Sequence, residues 1–192
     1  MFEELISLDK SLLLFFNHQH NPLLDFLMYW ASNKWIWIPF YAFLAFRIYK
    51  IYPQRFFSVV VFIGITIALS DQLSSSVIKN LVLRLRPCHD PSIASEVHLV
   101  NGYCGGTYGF ISSHASNAFA LFSFLLFLIR NKSRNLLWIV LVWAIVVSYS
   151  RIYLGAHFPG DVICGGIVGF ILGFVLYKIH HILFEKYFKK IN

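Results

Sequence analysis

Three short groups of residues in this 192-residue chain have the types and spacing to do chemistry. In the first, Lys79 and Arg86 stand seven residues apart. On an ideal helix of ~3.6 residues per turn they lie about 20° apart, with Gln72 on the same line and Ser75 and Ser76 one turn before Lys79. This predicts a polar stripe facing a bundle interior and ending at Pro87. In the second, Gly109-Phe110-Ile111-Ser112-Ser113-His114-Ala115-Ser116 leads into an apolar run. Small hydroxyl residues at a helix start leave backbone N–H groups unpaired at the positive end of the helix dipole, which is a place for an anion. The third runs from Ser150-Arg151 to His157-Phe158-Pro159-Gly160-Asp161. Pro159 suits the first position of a helix, which puts Asp161 in the opening turn and His157 just before it. A carboxylate on one imidazole nitrogen fixes the tautomer and orients the other nitrogen to act as base or nucleophile. Arg151 adds a planar fork suited to phosphate oxygens.

Each group alone has a plainer reading. Lys79 and Arg86 can snorkel to an interface, Ser112 or Ser113 can be a simple helix cap, and His157 with Asp161 can be an ordinary buried hydrogen bond. The aligned cations weigh the other way, because ionisable groups inside a membrane are costly and usually functional.

The elements that must position these groups are set by composition. The chain is 58% hydrophobic and only 13% charged, about half the charge of an ordinary soluble domain, as lipid-facing helices permit. The expected fold is a single domain over residues 1–192, an all-α polytopic transmembrane bundle. Five apolar stretches, approximately 35–51, 56–83, 114–130, 135–151 and 160–183, approach the roughly 20 helical residues needed to cross ~30 Å of hydrocarbon. Before them, Leu5, Ile6, Leu8 and Leu12 to Phe16 interleave with Glu3, Glu4, Asp9 and Lys10. That mixture predicts one or two interfacial helices, broken at Asn21-Pro22, with a sixth span as the alternative. The acidic start and the shortness of the apolar run argue against a cleavable signal.

Positive charge orients the bundle. Arg47, Lys50, Arg55, Arg130, Lys132, Arg134, Lys178, Lys186, Lys189 and Lys190 fall at one set of ends, expected to be cytoplasmic. Lys10, Lys34, Lys79, Arg84, Arg86 and Arg151 are left outside, and four of these sit beside the two outer loops. Bases placed against the topological bias point to an anionic ligand. The net charge of +7 is thereby spent on loops and an anion site, and no basic stripe for nucleic acid is present. In the outer loop, Cys88 and Cys104 are expected to pair if that side is oxidising, with a zinc site including His89 and His98 as the lesser alternative. Gly165, Gly169 and Gly173 in the last span predict close approach of a neighbouring helix.

Taken in order, the three groups resemble the type 2 phosphatidic acid phosphatase (PAP2) superfamily, which includes bacterial lipid phosphatases and vanadium haloperoxidases. Its pattern is Lys-x6-Arg-Pro, then Pro-Ser-Gly-His, then Ser-Arg-x5-His-x3-Asp. Here stand Lys79 with Arg86-Pro87, Ile111-Ser112-Ser113-His114, and Ser150-Arg151 with His157 and Asp161; Ile111 replaces the proline and Ser113 the glycine. The resemblance implies that His157 attacks phosphorus to form a phosphohistidine and that Asp161 orients it. It implies that His114 protonates the leaving oxygen and later activates water. Lys79, Arg86, Arg151, Ser112 and Ser113 would hold the phosphate, with no metal and no cofactor. The expected substrate is a lipid phosphate or diphosphate: undecaprenyl diphosphate, phosphatidylglycerol phosphate, phosphatidic acid or lipid A phosphate. The expected place is a bacterial inner membrane, with the site facing the periplasm. The rivals are a phosphatase or phosphotransferase on soluble esters and a non-enzymatic anion transporter, though the internal repeats of a transporter are not evident.

Overall fold

The hydrocarbon core offers no water to unpaired peptide groups, so a crossing segment must close its hydrogen bonds within itself. The computed structural model, which describes residues 2–188, obeys this throughout. Every regular element among the described residues is helical, and strand-like pairing is confined to an isolated Leu85–Tyr108 bridge. The helices are α1 (Phe2–Asn17), α2 (Pro22–Ser32), α3 (Ile38–Ile51), α4 (Phe56–Gln72), α5 (Lys79–Val82), α6 (Ser113–Ile129), α7 (Arg134–Tyr153) and α8 (Pro159–Phe188). Three helical runs are long and apolar enough to cross a membrane: Pro53–Val82, Arg134–Tyr153 and Pro159–Phe184. α6 is a shorter apolar helix. The stretch expected at 35–51 divides into a tight turn, Lys34–Trp37, and the 14-residue α3. Lys189 and Lys190, expected on the cytoplasmic side, lie outside the described residues.

The N-terminal segment is two helices broken at Asn21-Pro22, as the sequence predicts. Asn21 Oδ1 accepts from the Leu24 N–H at 3.0 Å and so caps α2, satisfying one of the orphan donors of its first turn. α1 is tied by polar contacts to the 84–112 loop and to the start of α8, through Lys10 on Asp90 at 2.8 Å and Asp9 on the Gly160 N–H at 2.7 Å. An amphipathic helix held that way lies at the interface.

The second span departs from expectation. Leu73–Ile78 forms a π-helical turn between α4 and α5, and the helix stops at Val82, where Leu83 turns left-handed with φ 53°. The ideal-helix alignment of Lys79 with Arg86 is therefore not the arrangement found. Arg86 sits beyond the helix end in extended backbone, and Gln72 and Ser76 are exposed. The serines serve the backbone: Ser74 Oγ donates to the Ser70 carbonyl at 2.8 Å and Ser75 Oγ to the Asp71 carbonyl at 2.6 Å. Hydroxyls that bond back to the preceding turn compete with the regular ladder.

The tightest packing is of α8 against α6. A Cβ on Gly165 would lie 2.6 Å from the Ser112 carbonyl oxygen, and one on Gly169 would run into that of Ser116. The two backbones are thus in direct contact along the small-residue face, as the glycine spacing predicts. Ile163, Ile167 and Ile171 on the other side of α8 are more than half exposed, the apolar surface that lipid covers. Below the outer end, Leu44, Val59, Phe124, Leu125, Val140 and Ala144 belong to one continuous core joining α3, α4, α6 and α7.

Candidate active site

Backbone pairing brings the first two groups together. The Arg86 N–H donates to the Thr107 carbonyl at 3.0 Å and the Gly109 N–H to that of Arg84 at 2.8 Å. A side chain at Gly109 would press on Asp161 Oδ2 at 3.0 Å and Arg86 Cγ at 3.3 Å, so glycine lets the loop lie close against the site. The Cys88–Cys104 pair is joined as a disulfide, Cα to Cα 6.1 Å, which closes the outer loop and commits both sulfurs. The contact of α6 with α8 joins the third group, and the Ser112 N–H donates to the Asp161 carbonyl at 3.0 Å.

All eight expected residues meet at one end of the bundle, the end expected to be the outer one. His157 is 1% exposed, and its Nε2 lies 3.3 Å from Arg86 Nη1, which also donates to the Ala156 carbonyl at 3.0 Å. Burial, with Arg86, Arg151 and Lys79 adding repulsion, holds the His157 imidazole well below the usual histidine range; it is neutral and keeps a lone pair. Lys79 Nζ donates to Ser113 Oγ at 3.3 Å, and His114 lies close enough to feel the charges of Arg151, His157 and Lys79. None of Lys79, Arg86 and Arg151 has a carboxylate partner among the described residues. Arg86 Nε and Arg151 Nε are buried without any hydrogen-bond partner. Buried donors left open in a cluster of three cations define a place for an anion.

Two serines differ in what they offer. Ser112 Oγ caps α6 by accepting from the Ala115 N–H at 3.4 Å, and its own N–H is already used by Asp161, so it supports the loop. The N–H groups of Ser113 and His114, in the first turn, have no intrahelical acceptor and remain available to an anion.

Asp161 is differently held than the sequence suggests. Its Oδ2 is 3.6 Å from His157 Nδ1, longer than a hydrogen bond, and that nitrogen has no hydrogen-bond partner among the described residues. Asp161 Oδ2 instead accepts from the Phe158 N–H at 3.0 Å, and Oδ1 from Arg84 Nη1 at 2.7 Å. Arg84 also donates to Asp9 Oδ2 at 2.7 Å and lies over the Phe158 ring at 4.1 Å. In the sequence Arg84 stands out only as one of six cations placed against the topological bias. Asp9 and Ser32 carry no such signal. Ser32, at the end of α2, accepts a hydrogen bond from Arg151 Nη1.

Asp161 is fully buried, and Arg84 is what offsets its charge. Arg84→Gln is expected to lower the unfolding free energy by about 3 kcal/mol, the cost of leaving a buried carboxylate unpaired. Asp9→Asn, which spares the Arg84–Asp161 pair, is expected to cost less. Thermal unfolding in detergent checks this, and equal losses for the two variants would contradict it.

Beside His114 a cavity of about 810 Å³ runs down between α3, α4, α6 and α7, lined by Trp37, Leu44, Ile67, Leu121, Leu125 and Val147 among others. Its walls are almost wholly apolar, and its polar residues, Ser32, Lys34, Asp71, Ser113, His114 and Asn117, belong to the outer ends of the helices and the turn before α3.

Residues 55–185 match the profile of the PAP2 superfamily. The chain is 40% identical over 183 residues to a lipid A 4′-phosphatase of Bacteroides thetaiotaomicron, covering 94% of this chain and 80% of that protein. It is 39% identical over 181 residues to a lipid A 4′-phosphatase of Porphyromonas gingivalis, covering 93% and 75%. Its fold matches the crystal structure of a transmembrane PAP2-type phosphatidylglycerolphosphate phosphatase from Bacillus subtilis, with a TM-score of 0.63 at 23% identity, covering 96% of this chain and 88% of that one.

Proposed function

The chain belongs to the PAP2 superfamily, and from that membership we propose that it removes a phosphate monoester from a lipid A-type glycolipid, through a phosphohistidine on His157. The cavity beside His114 carries the lipid part of this reading. An apolar volume that begins at the cations and descends between the spans suits acyl chains whose headgroup stays at the outer end. The two relatives near 40% identity are named lipid A 4′-phosphatases, which favours a sugar phosphate over the other lipid phosphates.

The geometry of the site supports the following chemistry. His157 Nε2 attacks phosphorus; an N–P bond forms and the bond to the lipid oxygen breaks. His114 gives its proton to that oxygen. The alcohol leaves, His114 takes a proton from water, and the water oxygen displaces His157 to release phosphate. Phosphoryl transfer asks mainly for positioning and charge stabilisation. Lys79, Arg86 and Arg151, with the N–H groups of Ser113 and His114, supply them without a metal ion in the reaction. A small inward shift of Asp161 would close the 3.6 Å gap to His157 Nδ1 and steady the imidazolium as it forms.

The site faces the periplasm from the inner membrane in this reading. The gathering of Arg47, Lys50, Arg130 and Lys132 at the ends of the spans away from the site supports it, as does a disulfide that needs an oxidising compartment.

A panel of substrates with purified protein in detergent tests the reaction. Phosphate release is expected to be fastest from the 4′-phosphorylated glycolipid. Faster release from undecaprenyl diphosphate or phosphatidic acid would reject the headgroup, and faster release from soluble esters would reject the lipid. The side is tested with an impermeant thiol reagent on spheroplasts. After reduction, Cys88 and Cys104 are expected to be labelled, and a cysteine replacing Asn131 is not until the membrane is breached. The reverse pattern would place the site in the cytoplasm.

A further inference from the structure

Away from the cations, three side chains distant in sequence meet on the outer face. They are His20 in the turn after α1, Asp25 in the first turn of α2 and His98 in the loop between α5 and α6. His98 Nε2 is 3.0 Å from Asp25 Oδ2. The His20 and His98 rings stack with centroids 3.8 Å apart and planes 12° from parallel. One ligand atom from each of the three residues lies within 4.8 Å of the other two. No hydrogen bond to either His20 nitrogen is made among the described residues.

The cluster is held from behind. Tyr153 donates its hydroxyl to Asp25 Oδ1 at 2.7 Å. Asn17, fully buried, grips the His98 backbone from both sides: Oδ1 accepts from its N–H at 2.7 Å, and Nδ2 donates to its carbonyl at 2.9 Å. The same Nδ2 donates to the Tyr153 carbonyl at 2.7 Å. Tyr153 is an outer partner of the kind that orients a carboxylate ligand, and Asn17 fixes the backbone that carries His98. His20 is exposed and Asp25 and His98 are half-buried, so an ion has a path in from water.

We propose that His20, Asp25 and His98 form a binding site for a Zn²⁺-class divalent ion, with water as the remaining ligand. Two imidazoles and one carboxylate suit zinc, whereas Mg²⁺ and Ca²⁺ ask for oxygen ligands throughout. Around tetrahedral zinc with bonds of ~2.0–2.1 Å, ligand atoms lie roughly 3.3 Å apart. With His98 Nε2 already 3.0 Å from Asp25 Oδ2 and every pair within 4.8 Å, that spacing takes at most about 1.5 Å of approach, with the exposed His20 ring turning out of its stack so that its in-plane lone pair meets the ion. The ion would fasten the α1–α2 turn to the outer loop. It would also fix α2, whose far end carries Ser32 against Arg151. Its role is that of a clamp behind the phosphate site, with no part in the bond changes.

The test uses tag-free, chelator-stripped protein with its disulfide intact, titrated with Zn²⁺ by calorimetry and with Co²⁺ by visible absorption. One ion per chain is expected, with a rise in Tm and the absorption of a four-coordinate Co²⁺ centre. His20→Ala and His98→Gln are each expected to weaken Zn²⁺ binding by roughly 100-fold or more, and Tyr153→Phe by about 10-fold, as for loss of an orienting partner. His20 is exposed and outside the phosphate site, so its variant is expected to remain folded and to keep its phosphatase activity. Absence of saturable binding in large Zn²⁺ excess would overturn the proposal. So would binding that persists unchanged in both histidine variants, because the ion would then sit elsewhere.

Discussion

Replacing His157 with alanine is expected to abolish phosphate release, by roughly 10⁴-fold or more, in a protein that still folds. The loss should exceed that of a general acid alone, about 10²–10⁴-fold, because no other group can form the covalent intermediate. His157 is buried beside Arg86 and neutral, so its lone pair is ready without prior deprotonation. His114→Ala separates the two half-reactions. On a lipid substrate it should be slow throughout, since the leaving alkoxide needs a proton. On an aryl phosphate, whose leaving group needs none, the first step should proceed and the second stall. Phosphohistidine should then accumulate, detectable as acid-labile, base-stable phosphate on the protein. Near-normal turnover by the His157 variant, or no accumulation in the His114 variant under these conditions, would overturn these roles.

Arg151→Lys is expected to lower kcat by about 10²–10³-fold, comparable to losing one preorganised donor to the transition state. A lysine keeps the charge but not the planar fork, and Arg151 Nε is among the buried donors without a protein partner. Orthovanadate, which adopts five-coordinate geometry like phosphorus under in-line attack, should inhibit the native protein and inhibit the Arg151→Lys variant less, by a similar factor. Activity should survive excess EDTA, because three protein cations offset the phosphate charge. The measurement is repeated in His20→Ala, which no longer holds an ion at the His20–Asp25–His98 cluster, so that any response to chelation reports on the phosphate site alone. EDTA inhibition of that variant, restored by Mg²⁺ or Zn²⁺, would show that a metal takes part in the reaction.

The disagreements between sequence and structure have definite physical origins. The helix arithmetic that aligned Lys79 with Arg86 assumed ~3.6 residues per turn to the end. The π-helical turn at Leu73–Ile78 and the left-handed Leu83 break that assumption, and the two cations reach one site by different routes. Helix spacing puts Ser75 and Ser76 of that stretch on a polar stripe facing the bundle interior. The hydroxyls of Ser74 and Ser75 instead found carbonyls in the turn before, a choice that local backbone geometry makes.

What the sequence by itself determined is the medium, the fold class and the chemical groups at the site. Apolar length and sparse charge require helices in a bilayer, and the glycine spacing on α8 requires a close neighbour. Three ordered groups of cations, hydroxyls and histidines mark the family. What only the tertiary structure decided is which charges are free. Arg84 and Arg86 are the same residue type two positions apart, yet Arg84 is neutralised by Asp161 and by Asp9, 75 residues earlier. Among the described residues, the Arg86 side chain hydrogen-bonds to a carbonyl and to His157 and to no carboxylate. Coulomb interaction at a few ångströms separates a structural cation from a ligand-binding one. Those few ångströms are set by helix contacts, such as α8 lying flush on α6 at Gly165 and Gly169, that join positions far apart in the chain.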